Sequence, residues 1–254
     1  MQRLIDKLDV AIKSAREFFN IENFPGNFFE VLDKKDYIED YKLLLFKEDI
    51  GKLSGFIGYG IDDLTVICIN YKRSIGHQNF TLAHEIGHWF LHRGENISDE
   101  DQYFYSKEQK EREANSFASE LLYPKEMFSR DYKYILNHDL LNEHKRAELG
   151  YYIDQLCHRY CLSYELVLRK ILYQCRQVSN YKRIRKEIEK SLGGKISECF
   201  EYDFYMANEE LPEYQKLMRP YEELKRDLDK LVSEDKIGRA TAESIMLRNG
   251  LEIK

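Results

Sequence analysis

The chain has 254 residues, 43% apolar and 33% charged, with a formal net charge of −6, enough for one large domain or two small ones. The acidic balance speaks against broad nucleic-acid binding, and no run approaches the roughly 18 apolar residues of a membrane span. The charged N-terminus lacks the apolar core of a signal peptide and five scattered cysteines suit reduced thiols, so a cytoplasmic protein is expected.

Residues 2–19 place Leu4, Ile5, Leu8, Ile12, Ala15, Phe18 and Phe19 at helical spacing. Pro25-Gly26 then breaks the chain. YKLLLFKED, KLSGFIGYG and LTVICINY follow, short and rich in β-branched or aromatic residues, with turn residues between them. They predict three strands of an antiparallel meander. FTLAHEIGHWFLH (Phe80–His92) reads as an apolar helix with Asn79 as its N-cap. Polar residues 93–107 read as a loop. KEQKEREANSFASELLY reads as a second helix stopped by Pro124. Further helices are expected over 126–175, two of them joined at Leu162-Ser163, and over the charged remainder, with breaks at Gly193-Gly194 and around Leu211-Pro212. The expected class is α+β: a small antiparallel sheet packed on helices, then a mainly helical C-terminal region. The expected domains are 1–175 and 176–254, the second a candidate for substrate or partner docking.

Ionisable groups in an apolar helix need compensation. His84 and His88 are four residues apart, so both imidazoles lie on one face and can address one ion. Glu85 lies about 100° around the helix, where it is poorly placed to ligate but able to reach an activated water. A catalytic zinc takes three protein ligands and leaves one position open. His92 shares the stripe of 84 and 88, but three successive turns of a straight helix cannot meet at one ion, so it is read as supporting a ligand or packing. On the second helix the apolar stripe is Ala114, Ala118, Leu121 and Leu122. Glu111 falls on that inward face and is the expected third ligand, with Glu113 the alternative; otherwise Glu113 and Glu120 read as solvated side chains. Asn115, one turn after Glu111, can hydrogen-bond a ligand from behind. Gly87 inside a helix costs about 1 kcal/mol relative to Ala and suggests that another element approaches closely there.

FTLAHEIGHWFLH followed by EREANSFASELLYP (Glu111–Pro124) resembles the ImmA/IrrE family of zinc metallopeptidases, in order and in spacing. SGFI and VICIN resemble that family's lead-in strands. The resemblance covers roughly residues 1–175. It implies zinc on His84, His88 and Glu111, Glu85 as general base, and Asn115 where related enzymes carry an acidic residue behind the first histidine. One departure is His77 in GHQNF, where the family often has an arginine. Family resemblance further implies cleavage of a helix-turn-helix repressor that relieves transcriptional repression. No helix-turn-helix unit is evident in residues 1–40, so the substrate is expected in trans, with no direct nucleic-acid or membrane partner. The competing reading is a non-catalytic regulatory module that acts by binding a repressor or another partner.

Other signals are weaker. Cys157, His158 and Cys161 look metal-like but lie on a helix core stripe with Ile153, Leu156 and Tyr160. Tyr71 is a candidate oxyanion donor because it ends the strand before the motif helix. YKRIRKEIEK (Tyr181–Lys190) reads as a solvated helix face with i,i+4 pairs, and 235–250 as a turn and a short helix that could adapt to a partner.

Overall fold

VICIN is the most apolar of the three strand candidates, and its burial decides the sheet. In the computed structural model, which describes residues 2–32, 43–59, 65–93, 100–206, 221–235 and 237–248, the elements run α1 (Gln2–Phe19), α2 (Phe28–Leu32), β1 (Leu43–Glu48), β2 (Gly55–Tyr59), β3 (Thr65–Asn70), α3 (Ile75–His92), α4 (Glu100–Leu122), α5 (Lys125–Asn137), α6 (Arg146–Tyr160), α7 (Tyr164–Gln174), α8 (Tyr181–Leu192), α9 (Ile196–Cys199), α10 (Tyr202–Tyr205), α11 (Tyr221–Ser233) and α12 (Arg239–Arg248). The α+β class holds, with a mainly helical C-terminal region. The chain forms two compact units, one of Met1–Phe28 and Arg73–Ala207, the other of Phe29–Lys72 and Asn208–Lys254.

The sheet unit corrects the expected meander. Strand order is β1-β3-β2, with β1 parallel and β2 antiparallel to β3, so the sheet is mixed rather than antiparallel. Ile67, Cys68 and Ile69 are fully buried, whereas β2 is half-exposed along its length. The strand with most to bury takes the centre. The 49–54 connection closes over the end of β3 and is tied there by Asn70. Its Nδ2 donates to the carbonyls of Gly51 and Leu53 at 3.0 and 2.7 Å, and its backbone N–H donates to Ser54 O at 2.8 Å. In the same unit Leu44, Leu228, Ala242 and Met246 form a core flanked by Phe46, Val66, Val232, Ile237 and Ile245.

In the helical unit α3 begins at Ile75, not after Asn79. Ser74 precedes it, and Ser74 O accepts from the N–H groups of His77 and Gln78. Asn79 is buried inside the helix and acts as a clamp. Its Oδ1 accepts from Phe28 N–H at 2.7 Å, and its Nδ2 donates to Gly26 O at 2.9 Å and Cys161 O at 3.0 Å. α4 begins at Glu100, inside the stretch expected to be a loop; residues 94–99 lie outside the described ones, as does the break expected near Leu211-Pro212. Phe18, Phe19, Trp89, Phe90 and Phe117 form an aromatic cluster on the back of α3, with ring centroids 4.8–6.1 Å apart in its contacting pairs.

The helix α6 ends at Cys161 in the left-handed region, and the Ser163 side chain caps α7 by accepting from Leu166 N–H. Cys157 and Cys161 are buried and form no disulfide, and burial raises the Cys157 thiol, so this pair is core packing. α8 buries Tyr181, Ile184 and Ile188 and carries Arg183–Glu187 and Arg185–Glu189 pairs on its outer side. It ends at Gly193, φ +85°. None of the described helices is long and apolar enough to cross a membrane.

Candidate metal centre

The helices α3 and α4 cross where both backbones are bare enough to approach. A Cβ at Gly87 would lie 3.0 Å from Phe117 Cδ1 and 3.3 Å from Ala114 Cα. This close crossing sets the spacing between the motif face of α3 and Glu111 on α4. Across it, His84 Nε2 lies 3.1 Å from His88 Nε2 and 3.2 Å from Glu111 Oε2, and His88 Nε2 lies 3.6 Å from Glu111 Oε1. Among the described residues these three offer ligand atoms within 4.8 Å of one another. A tetrahedral ion with bonds of about 2.0–2.1 Å needs ligand atoms about 3.3 Å apart, and the observed separations straddle that value. Two imidazole nitrogens and one carboxylate are also the donor chemistry of a borderline divalent ion.

Electrostatics suit the same use. Burial, outweighing the attraction of Glu111 and the Asn115 hydrogen bond, holds His84 below the ordinary histidine range. Burial first, then His84 and His92, push His88 down to about 4. Both imidazoles are therefore neutral at pH 7, the form that ligates. Glu85 is buried, and that burial, followed by the charge of Glu111, pushes its carboxyl up to about 7. Glu111 is 48% exposed, so the cluster is open on its carboxylate side.

The supporting residues occupy definite places. Asn115 Oδ1 is 3.1 Å from His84 Nδ1. His92, buried at the end of α3, has Nδ1 3.0 Å from His88 Nδ1. Its Nε2 is 3.1 Å from Glu113 Oε2. Glu113, expected to be solvated or an alternative ligand, is instead 8% exposed and turned away from the cluster toward His92. Burial alone would raise its carboxyl, but hydrogen bonds from Gln109 and His92 outweigh that and hold it below the usual range. Helix-wheel reasoning missed it because the wheel shows only the face of α4. The available signal was that a buried His92 needs a partner, and a carboxylate on the facing helix supplies one. Glu120 is only half-buried, and its carboxylate accepts from Lys125 N–H. Tyr71 belongs to the sheet unit, at the end of β3, where its backbone N–H donates to Glu48 O at 3.4 Å.

The family model described as the IrrE N-terminal-like domain matches residues 39–172, a span that includes His84, Glu85, His88, Glu111, Glu113 and Asn115. The metallopeptidase ImmA of Bacillus subtilis (strain 168) is 32% identical over 112 residues, which cover 43% of this chain and 62% of that protein. The match thus spans less than two thirds of the relative's own length.

Proposed function

The chain belongs to the peptidase family of the IrrE N-terminal-like domain, and from that premise we propose that it is a zinc-dependent endopeptidase acting on a regulatory protein. The observation that carries the proposal is the convergence of His84, His88 and Glu111 on one point, with buried Glu85 on the same helix. Zinc is the ion this donor set favours: two imidazoles, one carboxylate and room for one more ligand. When bound it supplies Lewis-acid chemistry, polarising a carbonyl and acidifying water.

The rest falls to the chain. His84 and His88 present neutral nitrogens, and Asn115 and His92 hold their rings from behind. Glu85 takes the proton of the attacking water and returns it to the leaving amine. Its carboxyl near neutrality makes it able to do both, and a cation in the site favours the ionised, proton-accepting form. The exposed side of Glu111 leaves an approach for an extended polypeptide.

The expected substrate is a helix-turn-helix repressor, cut in the cytoplasm; cysteines that form no disulfide are in keeping with a reducing compartment. Glu85→Gln should keep stoichiometric zinc and lose cleavage by at least a hundredfold, about the scale of general-base catalysis. The same variant, used as a trap in host lysate, should capture an intact protein that the wild type then cuts. Undiminished cleavage by Glu85→Gln would remove the assigned base. Captured proteins that never include a DNA-binding regulator would remove the repressor.

A further inference from the structure

The four-residue string His88–His92–Glu113–Gln109 has a directionality that fixes its protons. Glu113 Oε1 accepts from Gln109 Nε2 at 2.8 Å. Its Oε2 faces His92 Nε2 at 3.1 Å and the Lys7 ammonium at 3.8 Å. A carboxylate in this setting accepts, so the proton between them sits on His92 Nε2. A neutral imidazole with its proton on Nε2 has a lone pair on Nδ1. That lone pair lies 3.0 Å from His88 Nδ1, so His88 must carry its own proton on Nδ1 and donate it. The consequence is a bare Nε2 on His88, the atom 3.1 Å from His84 Nε2 and 3.6 Å from Glu111.

We infer that Glu113 and His92 are positioning residues, a tautomer relay in which a buried carboxylate two side chains away sets which nitrogen of His88 faces the metal. The inference rests on the proposed metal site and deepens it. His84 reaches the same tautomer in a single step, through Asn115 Oδ1 at 3.1 Å. The two ligands are therefore held by different devices. Asn115 acts directly and lies at the exposed side of α4, whereas the His92–Glu113 pair is buried at 6–8% exposure. The longer device is needed because the group behind His88 is another imidazole of the same helix, which cannot choose its own tautomer.

The metal-free wild type tests the relay without any variant. Nitrogen-15 NMR of the imidazoles should show His92 protonated on Nε2 and His88 on Nδ1. His92 protonated on Nδ1 would overturn the relay. The second arm measures zinc affinity by chelator competition. Glu113→Gln keeps shape but lets an amide donor face His92, which favours the wrong tautomer; zinc should bind about tenfold to a hundredfold more weakly. Adding His92→Asn places a carbonyl oxygen at the same bond position as the lost Nδ1, accepting from His88 without help from residue 113. The double variant should therefore regain affinity over Glu113→Gln alone, which a loss of packing would not do. Equal zinc affinity in Glu113→Gln and wild type would overturn the relay. A wild type with the assigned tautomers that binds no zinc would overturn the metal site instead and support the bonding pattern.

Discussion

Glu85 and His88 are neighbours in sequence with opposite protonation problems. Burial pushes the carboxyl up to about 7 and the imidazole down to about 4, so each is driven toward its uncharged form. The linkage has opposite signs. A raised carboxyl contributes stability that is present below its unfolded value of 4.5 and lost as pH rises through about 7. A depressed histidine contributes stability present above 6.5 and lost as pH falls toward about 4. Comparing Glu85→Gln with the wild type, both metal-free, isolates the first. The variant should match the wild type near pH 4 and be the more stable at pH 8, by on the order of 3 kcal/mol in urea unfolding. Glu111→Ala is a different case. Its side chain is half-exposed, so the metal-free fold should change by less than about 0.5 kcal/mol, while the rise in Tm on adding zinc should vanish. At this scale the sequence was highly legible for groups whose placement follows from helix spacing: His84, Glu85, His88, Glu111 and Asn115. Glu113 was not legible, because its burial depends on His92 and Lys7, which come from two other helices.

Two glycines of α3 show what single elements demand. At Gly87 an added Cβ meets the Phe117 ring edge at 3.0 Å, a side chain with some freedom to turn. At Gly76 it would lie 2.2 Å from the carbonyl carbon of Leu162 and 2.3 Å from Ser163 N, which is backbone. Alanine gains about 1 kcal/mol of helix propensity at Gly87, which lies in the helix interior. For Gly87→Ala that gain and the crowding nearly cancel, so the urea midpoint should move by the equivalent of about 1 kcal/mol at most. Gly76→Ala forces the α6–α7 turn away from α3 and strains the Asn79 bond to Cys161 O, and should cost more than about 2 kcal/mol. The same clamp explains a misread boundary. Asn at a helix start suggests a cap, and only the fold shows that Asn79 is instead bonded to Gly26, Phe28 and Cys161. α1, by contrast, runs over the residues its apolar spacing picks out, since nothing tertiary competes with that pattern. Strand existence was legible too, but not strand order: neighbours in sequence suggest hairpins, and the burial of Ile67–Ile69 put β3 in the middle instead.

Neither compact unit is a continuous piece of chain. The sheet unit joins residues 29–72 to a segment that begins at 208, and no local pattern announces so distant a partner. The helix α11 is amphipathic, and its apolar face read alone suggests a surface waiting for another molecule. Among its described residues that face is already covered: Leu228 is fully buried and Leu231 nearly so, with Leu44 of β1, Ala242 and Met246 in the core around Leu228. What α11 leaves for a partner is its charged side, where Lys225, Arg226 and Asp229 are exposed. Leu228→Ala tests this assignment. A fully buried leucine in a small core should cost about 2–5 kcal/mol on truncation, through lost burial and the cavity left behind. Hydrogen exchange gives the location as well as the size. Amides of β1, α11 and α12 should lose protection together, because they share the core that Leu228 fills. Unchanged exchange in β1 would mean that the C-terminal helices do not hold the sheet, and that their apolar face is free for another molecule after all.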